Sequence, residues 1–496
     1  MLKKLLCVLL ASLMLVGTLA SCGTTEETPT GTTAQTQAGT VLEEETRQSL
    51  DVPDTRYDGT ELCFLTRDEG EWSTLEIFTE ELTSESDNIS SAVYERNDRI
   101  LQAYGVTVTE LKKTTGEHHG SISNEVSAPT GDFQAVITNT VNSANFATNG
   151  FLWNLNHDAV EYMDFEKAWW DTNMAHGMSI NDRLYFATGD LLTSDNDATF
   201  VIMFNKKIVT DCSIPDLYAL VENNEWTMDK FYEYEQVAAQ DKDGDGKLVY
   251  DTDIAGLAYT GDAPYCMLFG GGVTMCVKDE TDTPIYELDV ELAQEIADIG
   301  KLIFAKDYTV DLNNPGDGSN VVDAGKKAFG ENHALFMGEV MQCVTRMRGF
   351  DVDFGILPFP KFTAAQDNYY SMMHLTASCV SIPRSVNEND IAMVSAMIEA
   401  MAYHSVDTLT TQYYEINLKT KGAKDEQSGP MIDKILSSRA CDLSYYYQWG
   451  SNAFGTLASC LLPGQTKSVS SQNKRFEGLI KKNIQTLLKN MEKNEQ

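Results

Sequence analysis

Apolar runs of strand length and amphipathic stretches of helix length follow one another along most of the chain. Residues 61–66, 106–109 and 133–138 are short, mostly apolar runs that predict strands, the third of the kind buried parallel strands show. Residues 90–104 place Val93, Ile100, Leu101 and Tyr104 on one side of a helix that stops at Gly105. Further strands are predicted at 184–188, 199–204, 354–358 and 377–383. Helices are predicted at 228–240, with Thr227 as N-cap, and at 390–403. The C-terminal helix is the clearest: Phe476, Leu479, Ile480, Ile484, Leu487, Leu488 and Met491 recur at intervals of three and four. Strands alternating with helices predict an α/β fold with a parallel sheet. No internal repeat is visible.

The first fifty residues break this pattern. Lys3 and Lys4 precede an apolar run from Leu5 to Ala20, too short to span a bilayer comfortably, which closes on Leu19-Ala20-Ser21-Cys22-Gly23. Residues 1–21 therefore read as an export signal. That closing sequence resembles the lipobox of bacterial lipoproteins, which would make Cys22 the lipidated first residue; an ordinary signal with a chance cysteine is the plainer alternative. Residues 22–56 follow as a tether, with eight threonines between Thr24 and Thr40 and too little apolar surface to offset ordering entropy.

Charge then narrows the classes of partner. The chain has 496 residues, with 37 Lys+Arg against 74 Asp+Glu and a formal charge of −37, while 42% hydrophobic residues make it a folding composition. An acid excess spread over the whole chain argues against nucleic acid and against docking on anionic lipid. Membrane residence would come through lipid only. Cys63, Cys212, Cys266, Cys276, Cys343, Cys379, Cys441 and Cys460 contain no CxxC pair, and most sit in apolar contexts as small buried hydrophobes. Cys266 and Cys276 could pair.

One local motif is sharp. Asp241-Lys242-Asp243-Gly244-Asp245-Gly246 matches the D-x-D-x-D-G start of a calcium loop, in which alternate carboxylates converge and Gly246 permits the turn. The Lys247 carbonyl would be the next ligand. The twelfth position is Thr252, so Asp251 or Asp253 has to close the loop. Expected is a structural Ca²⁺ held by Asp241, Asp243, Asp245, Lys247 and Asp253; a solvated acidic turn is the alternative. Catalytic patterns are sparse: HExxH, GxSxG and the Walker loop are absent, and His118-His119 reads as a solvated pair.

The order of several short stretches resembles the extracellular solute-binding proteins of bacterial ABC importers, the large type that includes the maltose-binding protein. These are the lipobox and tether, residues 133–139, Phe165-Glu166-Lys167-Ala168-Trp169-Trp170-Asp171, residues 183–190, Met203-Phe204-Asn205-Lys206-Lys207, residues 224–231, and Phe354 to Lys361. Each is weak alone, and the ordered set covers 57–496. The resemblance implies two α/β lobes joined by hinge crossovers, one from 57–190 and 378–430, the other from 195–375 and 431–496, with a ligand cleft between them. It implies a non-enzymatic, monomeric, lipid-anchored receptor on the outer face of the membrane. Such a receptor would capture a small polar ligand, a sugar or oligosaccharide, for an ABC importer permease. A glycan-hydrolysing lipoprotein and an adhesive or sensory lipoprotein are the alternatives.

Sugar sites stack aromatic faces on pyranose rings and fork hydrogen bonds to hydroxyls. Arg67, Glu71 and Trp72 follow the first strand; Trp72 could equally be core. Asn139 and Thr140 follow the third strand, where a loop enters the cleft in the resembled fold. Asp190 ends the first crossover, as hinge residue, ligand or turn former. Phe269 precedes three glycines, and Glu339 corresponds to a cleft-lining segment. Tyr369 and Trp449 complete the candidates, while Trp169, Trp170 and Trp226 read as structural.

Overall fold

β1 (Thr60–Arg67), β2 (Val106–Lys113) and β3 (Ala135–Asn139) lie where the apolar runs put them and pair in parallel, Thr60 opposite Val106 and Phe64 opposite Ala135. The computed structural model describes residues 48–68, 77–79, 87–315, 319–420 and 426–494. Cys22, Glu71 and Trp72 lie outside the described residues. The helix Asn88–Tyr104 joins β1 to β2 as a crossover; Asp87 caps it, and Gly105 at φ 73° ends it in the left-handed conformation that glycine takes without a Cβ clash.

β4 (Phe200–Asn205), β5 (Ala255–Tyr259), the hairpin of β6 (Cys276–Lys278) and β7 (Pro284–Tyr286), β8 (Thr309–Asp311), β9 (Ala334–Val340) and β10 (Phe354–Leu357) follow. β11 (Ser378–Ser381) then returns to the first sheet, whose order is β11-β3-β1-β2; the second is β10-β4-β9-β5-β8. The alternation of elements had predicted a parallel sheet, but neither sheet is wholly parallel. β11 runs antiparallel to β3, and β4 antiparallel to both β10 and β9. Pairing direction depends on how the chain re-enters a sheet, which periodicity does not encode. The predicted strand at 184–188 is also corrected: this stretch makes single bridges, Ala187 to Val380 and Trp170 to Gly189, as it leaves the first sheet.

Tryptophans clamp the helices to these sheets. Trp226 is fully buried, packs edge-on to Phe231 and tilted against Phe336, and donates from Nε1 to the Pro358 carbonyl at 3.0 Å, which fixes the start of the helix Met228–Ala238. That helix lies so close to β5 that a Cβ on Gly256 would come within 2.6 Å of the Glu235 carbonyl oxygen. Trp169 and Trp170 donate from Nε1 to the two oxygens of Glu399 at 2.9 and 2.8 Å, pinning this turn to the helix Ile391–Ser405. The described cysteines are unbridged, Cys266 and Cys276 among them. Among the described residues no helix is long and apolar enough to cross a membrane.

Candidate functional site

Loops that follow the carboxyl ends of parallel strands face a common edge, and each sheet here offers such an edge. On the first, Arg67 closes β1, is buried, and donates from Nη2 to Ser378 Oγ, while the Ser378 N–H donates to Ser194 Oγ at 3.0 Å. Asn139 ends β3 and caps the helix Thr140–Thr148, its Oδ1 accepting from the Asn142 N–H at 2.8 Å. Thr140 is fully buried and donates to the Leu375 carbonyl at 2.6 Å. It ties sheet to crossover and has no face left for a ligand. His118, expected in solvent, is fully buried beneath this edge, with Nε2 3.0 Å from the Thr66 carbonyl. Burial holds its pKa down, so the ring is neutral.

On the second edge, β5 runs into Thr260-Gly261-Asp262 and the helix Ala263–Gly270. Asp262 Oδ1 stands 3.8 Å from Nε2 of His374, whose ring packs edge-on to Phe200. Nδ1 of His374 accepts from the Thr376 N–H at 3.3 Å and lies 2.6 Å from Thr376 Oγ1. A backbone N–H can only donate, so the neutral ring carries its proton on Nε2, pointing at Asp262. Burial holds the His374 pKa down, against the opposing pull of Asp262. A donor and an acceptor thus face each other across a gap too long for a direct hydrogen bond. A hydroxyl could accept from one and donate to the other. Tyr265, one turn along, is half-buried, with its ring centroid 5.9 Å from Tyr445 and 6.3 Å from Phe454. Glu339 in β9 is half-buried and accepts from the Val340 N–H at 2.9 Å. Burial first, then Asp262 and Glu339, pushes the Cys266 thiol up. Asp262, Tyr265 and His374 were not singled out from the sequence; the strand–Gly–Asp–Ala–Pro–Tyr order at 255–265, a buried strand running into a Pro-started helix, was the available signal.

Three of the predicted aromatics belong elsewhere. Phe269 is 2% exposed, its ring taken up by Phe454 and Tyr445 at 4.9 and 5.5 Å. Trp449 is buried beside Tyr447, and Tyr369 is buried beneath Lys361, whose Nζ lies 5.2 Å from the ring centroid. Each fills core, because a large aromatic gains as much from a protein interior as from a ligand.

The connections between the sheets meet at Arg439. Its buried guanidinium donates from Nε to Thr199 Oγ1 at 3.0 Å, from Nη1 to Asp171 at 2.6 Å and Asp195 at 3.0 Å, and from Nη2 to Asn196. Its backbone pairs with Ser371, and Met373 pairs with Thr199, so three separate passages of chain are joined here. Asp190 lies against the same group. Burial, with Asp195 and Asp171 adding repulsion, raises its pKa to about 7, against the Thr410 hydroxyl and Arg439. Asp190 therefore belongs to the same charged cluster.

The calcium-loop residues converge in part. Oxygens of Asp241, Asp243 and Asp253 lie within 4.8 Å of one another, and it is Asp253, 1% exposed, that closes the group rather than Asp251. Asp253 is held there by the N–H groups of Lys242 and Val249 at 2.9 and 2.8 Å. Asp245 faces along the loop, accepting from the Lys247 N–H at 2.8 Å. A separate groove of about 360 Å³, lined by Phe165, Glu166 and His176, contains none of the candidate residues.

No protein-family profile matches the chain, and no curated protein does. Solved structures do. A sugar transporter from Rhizobium etli in an open conformation superposes with a TM-score of 0.56 at 11% identity, over 85% of this chain and 99% of its own. The cyclic alpha-maltosyl-1,6-maltose binding protein of Arthrobacter globiformis gives 0.54 at 11%, over 86% and 99%. UgpB from Mycobacterium tuberculosis, in complex with glycerophosphocholine, gives 0.53 at 16%, over 79% and 96%. At such identities the likeness shows a shared fold, the two-lobed α/β fold with its connections between lobes.

Proposed function

We propose that this protein is an extracellular, non-enzymatic solute receptor that closes its two lobes on a small polar ligand, a sugar or oligosaccharide, and delivers it to an ABC importer. Anchorage through lipid on Cys22 belongs to the same reading. The observation that carries it is the facing donor and acceptor of His374 and Asp262, beside Tyr265, at the strand ends of a two-lobed fold. Proteins of that fold are known bound to cycloalternan, maltotriose and maltotetraose. Maltotriose, maltotetraose, cycloalternan and glycerophosphocholine, screened by thermal shift, form the test. Binding at about 100 times Kd is expected to stabilise the protein by about 2.7 kcal/mol. His374→Ala should then weaken the hit about tenfold or more, at unchanged melting temperature without ligand. Release of smaller sugars from an incubated oligosaccharide would overturn the receptor reading in favour of hydrolysis.

We further propose that Asp241, Asp243 and Asp253 hold one structural Ca²⁺, supported by the loop motif and by the convergence of these carboxylates. Calcium should raise the melting temperature of chelator-treated protein. Asp243→Asn, which removes a charge and leaves the Asp253 contacts in place, should abolish that rise. Equal melting with and without calcium would sink the idea.

A further inference from the structure

The helix Val469–Asn494 departs from the charge of the rest of the chain. Acids outnumber bases two to one overall, but this helix carries six Lys or Arg and two Glu, Glu477 and Glu492. Its apolar face, from Phe476 through Ile480, Ile484 and Leu487 to Met491, is buried. Its outer face is a cationic stripe of Lys474, Arg475, Lys482, Lys489 and Lys493, all exposed. Lys481 is set apart, paired with Glu477 at 2.6 Å. Among the described residues no carboxylate lies within 4 Å of the five stripe cations. At about 1.5 Å per residue the stripe runs for about 28 Å. Leu479, 40% exposed, sits within it, and beside Arg475 and Leu479 opens a cavity of about 110 Å³ that Ser451 and Thr456 also line.

We propose that this face docks on an anionic phospholipid surface, with the Arg475 cavity taking a headgroup phosphate. A straight row of separated cations matches a plane of laterally mobile phosphates, which can gather beneath each side chain in turn. An exposed leucine between the cations can meet the boundary between headgroups and acyl chains. The acidic remainder of the molecule is repelled by the same surface, so the charge asymmetry also sets orientation. An acidic polypeptide would meet the cations but would leave Leu479 without an apolar partner. Composition alone had argued against contact with anionic lipid; the fold reverses this by collecting cations on one side.

Residues 48–496, one compact unit, carry neither signal nor lipidation site and suit the test. They should float with mixed phosphatidylglycerol–phosphatidylcholine vesicles at about 50 mM salt and be released at about 300 mM. Pure phosphatidylcholine vesicles should leave them in solution. Lys474→Gln/Arg475→Gln/Lys482→Gln/Lys489→Gln should lower the bound fraction about tenfold or more at unchanged melting temperature. No flotation with anionic vesicles, or equal flotation of the variant, overturns the proposal. Binding to immobilised poly-glutamate without binding to vesicles assigns the face to an acidic polypeptide instead.

Discussion

Replacing Arg439 by methionine is expected to destabilise the folded body by about 3–5 kcal/mol, measured by urea unfolding. The guanidinium serves Asp171, Asp195, Asn196 and Thr199 at once, and its side chain is 4% exposed. Without it, the buried Asp195 and the half-buried Asp171 lose a shared counter-charge, and that desolvated charge is the source of the cost. Arg439→Lys should recover little, because one ammonium cannot reproduce four directed contacts. Adding Asp171→Asn and Asp195→Asn to Arg439→Met should restore part of the loss. No restoration would mean that lost packing, not uncompensated charge, is responsible. The contacts join the passages between the two sheets, so the loss should be felt in both.

Stability is expected to fall as pH rises from about 4.5 to 7, the second large effect. Burial raises the carboxyl of Glu399 to about 7, partly offset by the two indole N–H groups it accepts from. Between its ordinary value and 7 the unfolded chain has released this proton and the folded chain still holds it, so each step up in pH favours unfolding. For Glu399, 2% exposed, the change is about 3 kcal/mol. Asp190 acts in the same direction over the same window, with a smaller share because it is partly exposed. Glu235, fully buried, adds to the trend. Asp51, Glu117 and Asp279, whose pKa values are lowered by hydrogen bonds, act oppositely but lie at the surface, where the effect is small. His118 and His374, whose pKa values burial lowers, also act oppositely up to their ordinary value and reduce the net fall. Unfolding at pH 5 and pH 8 checks this, and Glu399→Gln should flatten the profile. A stability that rises over this window would refute it.

These two effects share an origin that no local pattern announces. Arg439 stands far along the chain from Asp171, and Glu399 far from the tryptophans it accepts from. The candidate site is similar. Arg67 and Asn139 were legible as residues at strand ends, and they lie there. Asp262 and His374 were not, because the pair exists only once β5 and the passage before β11 have been brought together.

What the sequence determined by itself is what neighbouring residues decide. The three- and four-residue spacing gave the helix Val469–Asn494, and Thr227 and Gly105 marked helix ends that are now seen capped. Short apolar runs located β1, β3, β4 and β10, and the order of stretches pointed to the two-lobed fold. Tertiary structure alone decided the antiparallel entries of β4 and β11, the assignment of Phe269, Tyr369 and Trp449 to core, and the meeting of three passages at Arg439. The physical reason is range. Periodicity and capping act over a few residues, whereas burial and ion pairing depend on which distant segments pack together, and the same aromatic or charged residue suits either environment.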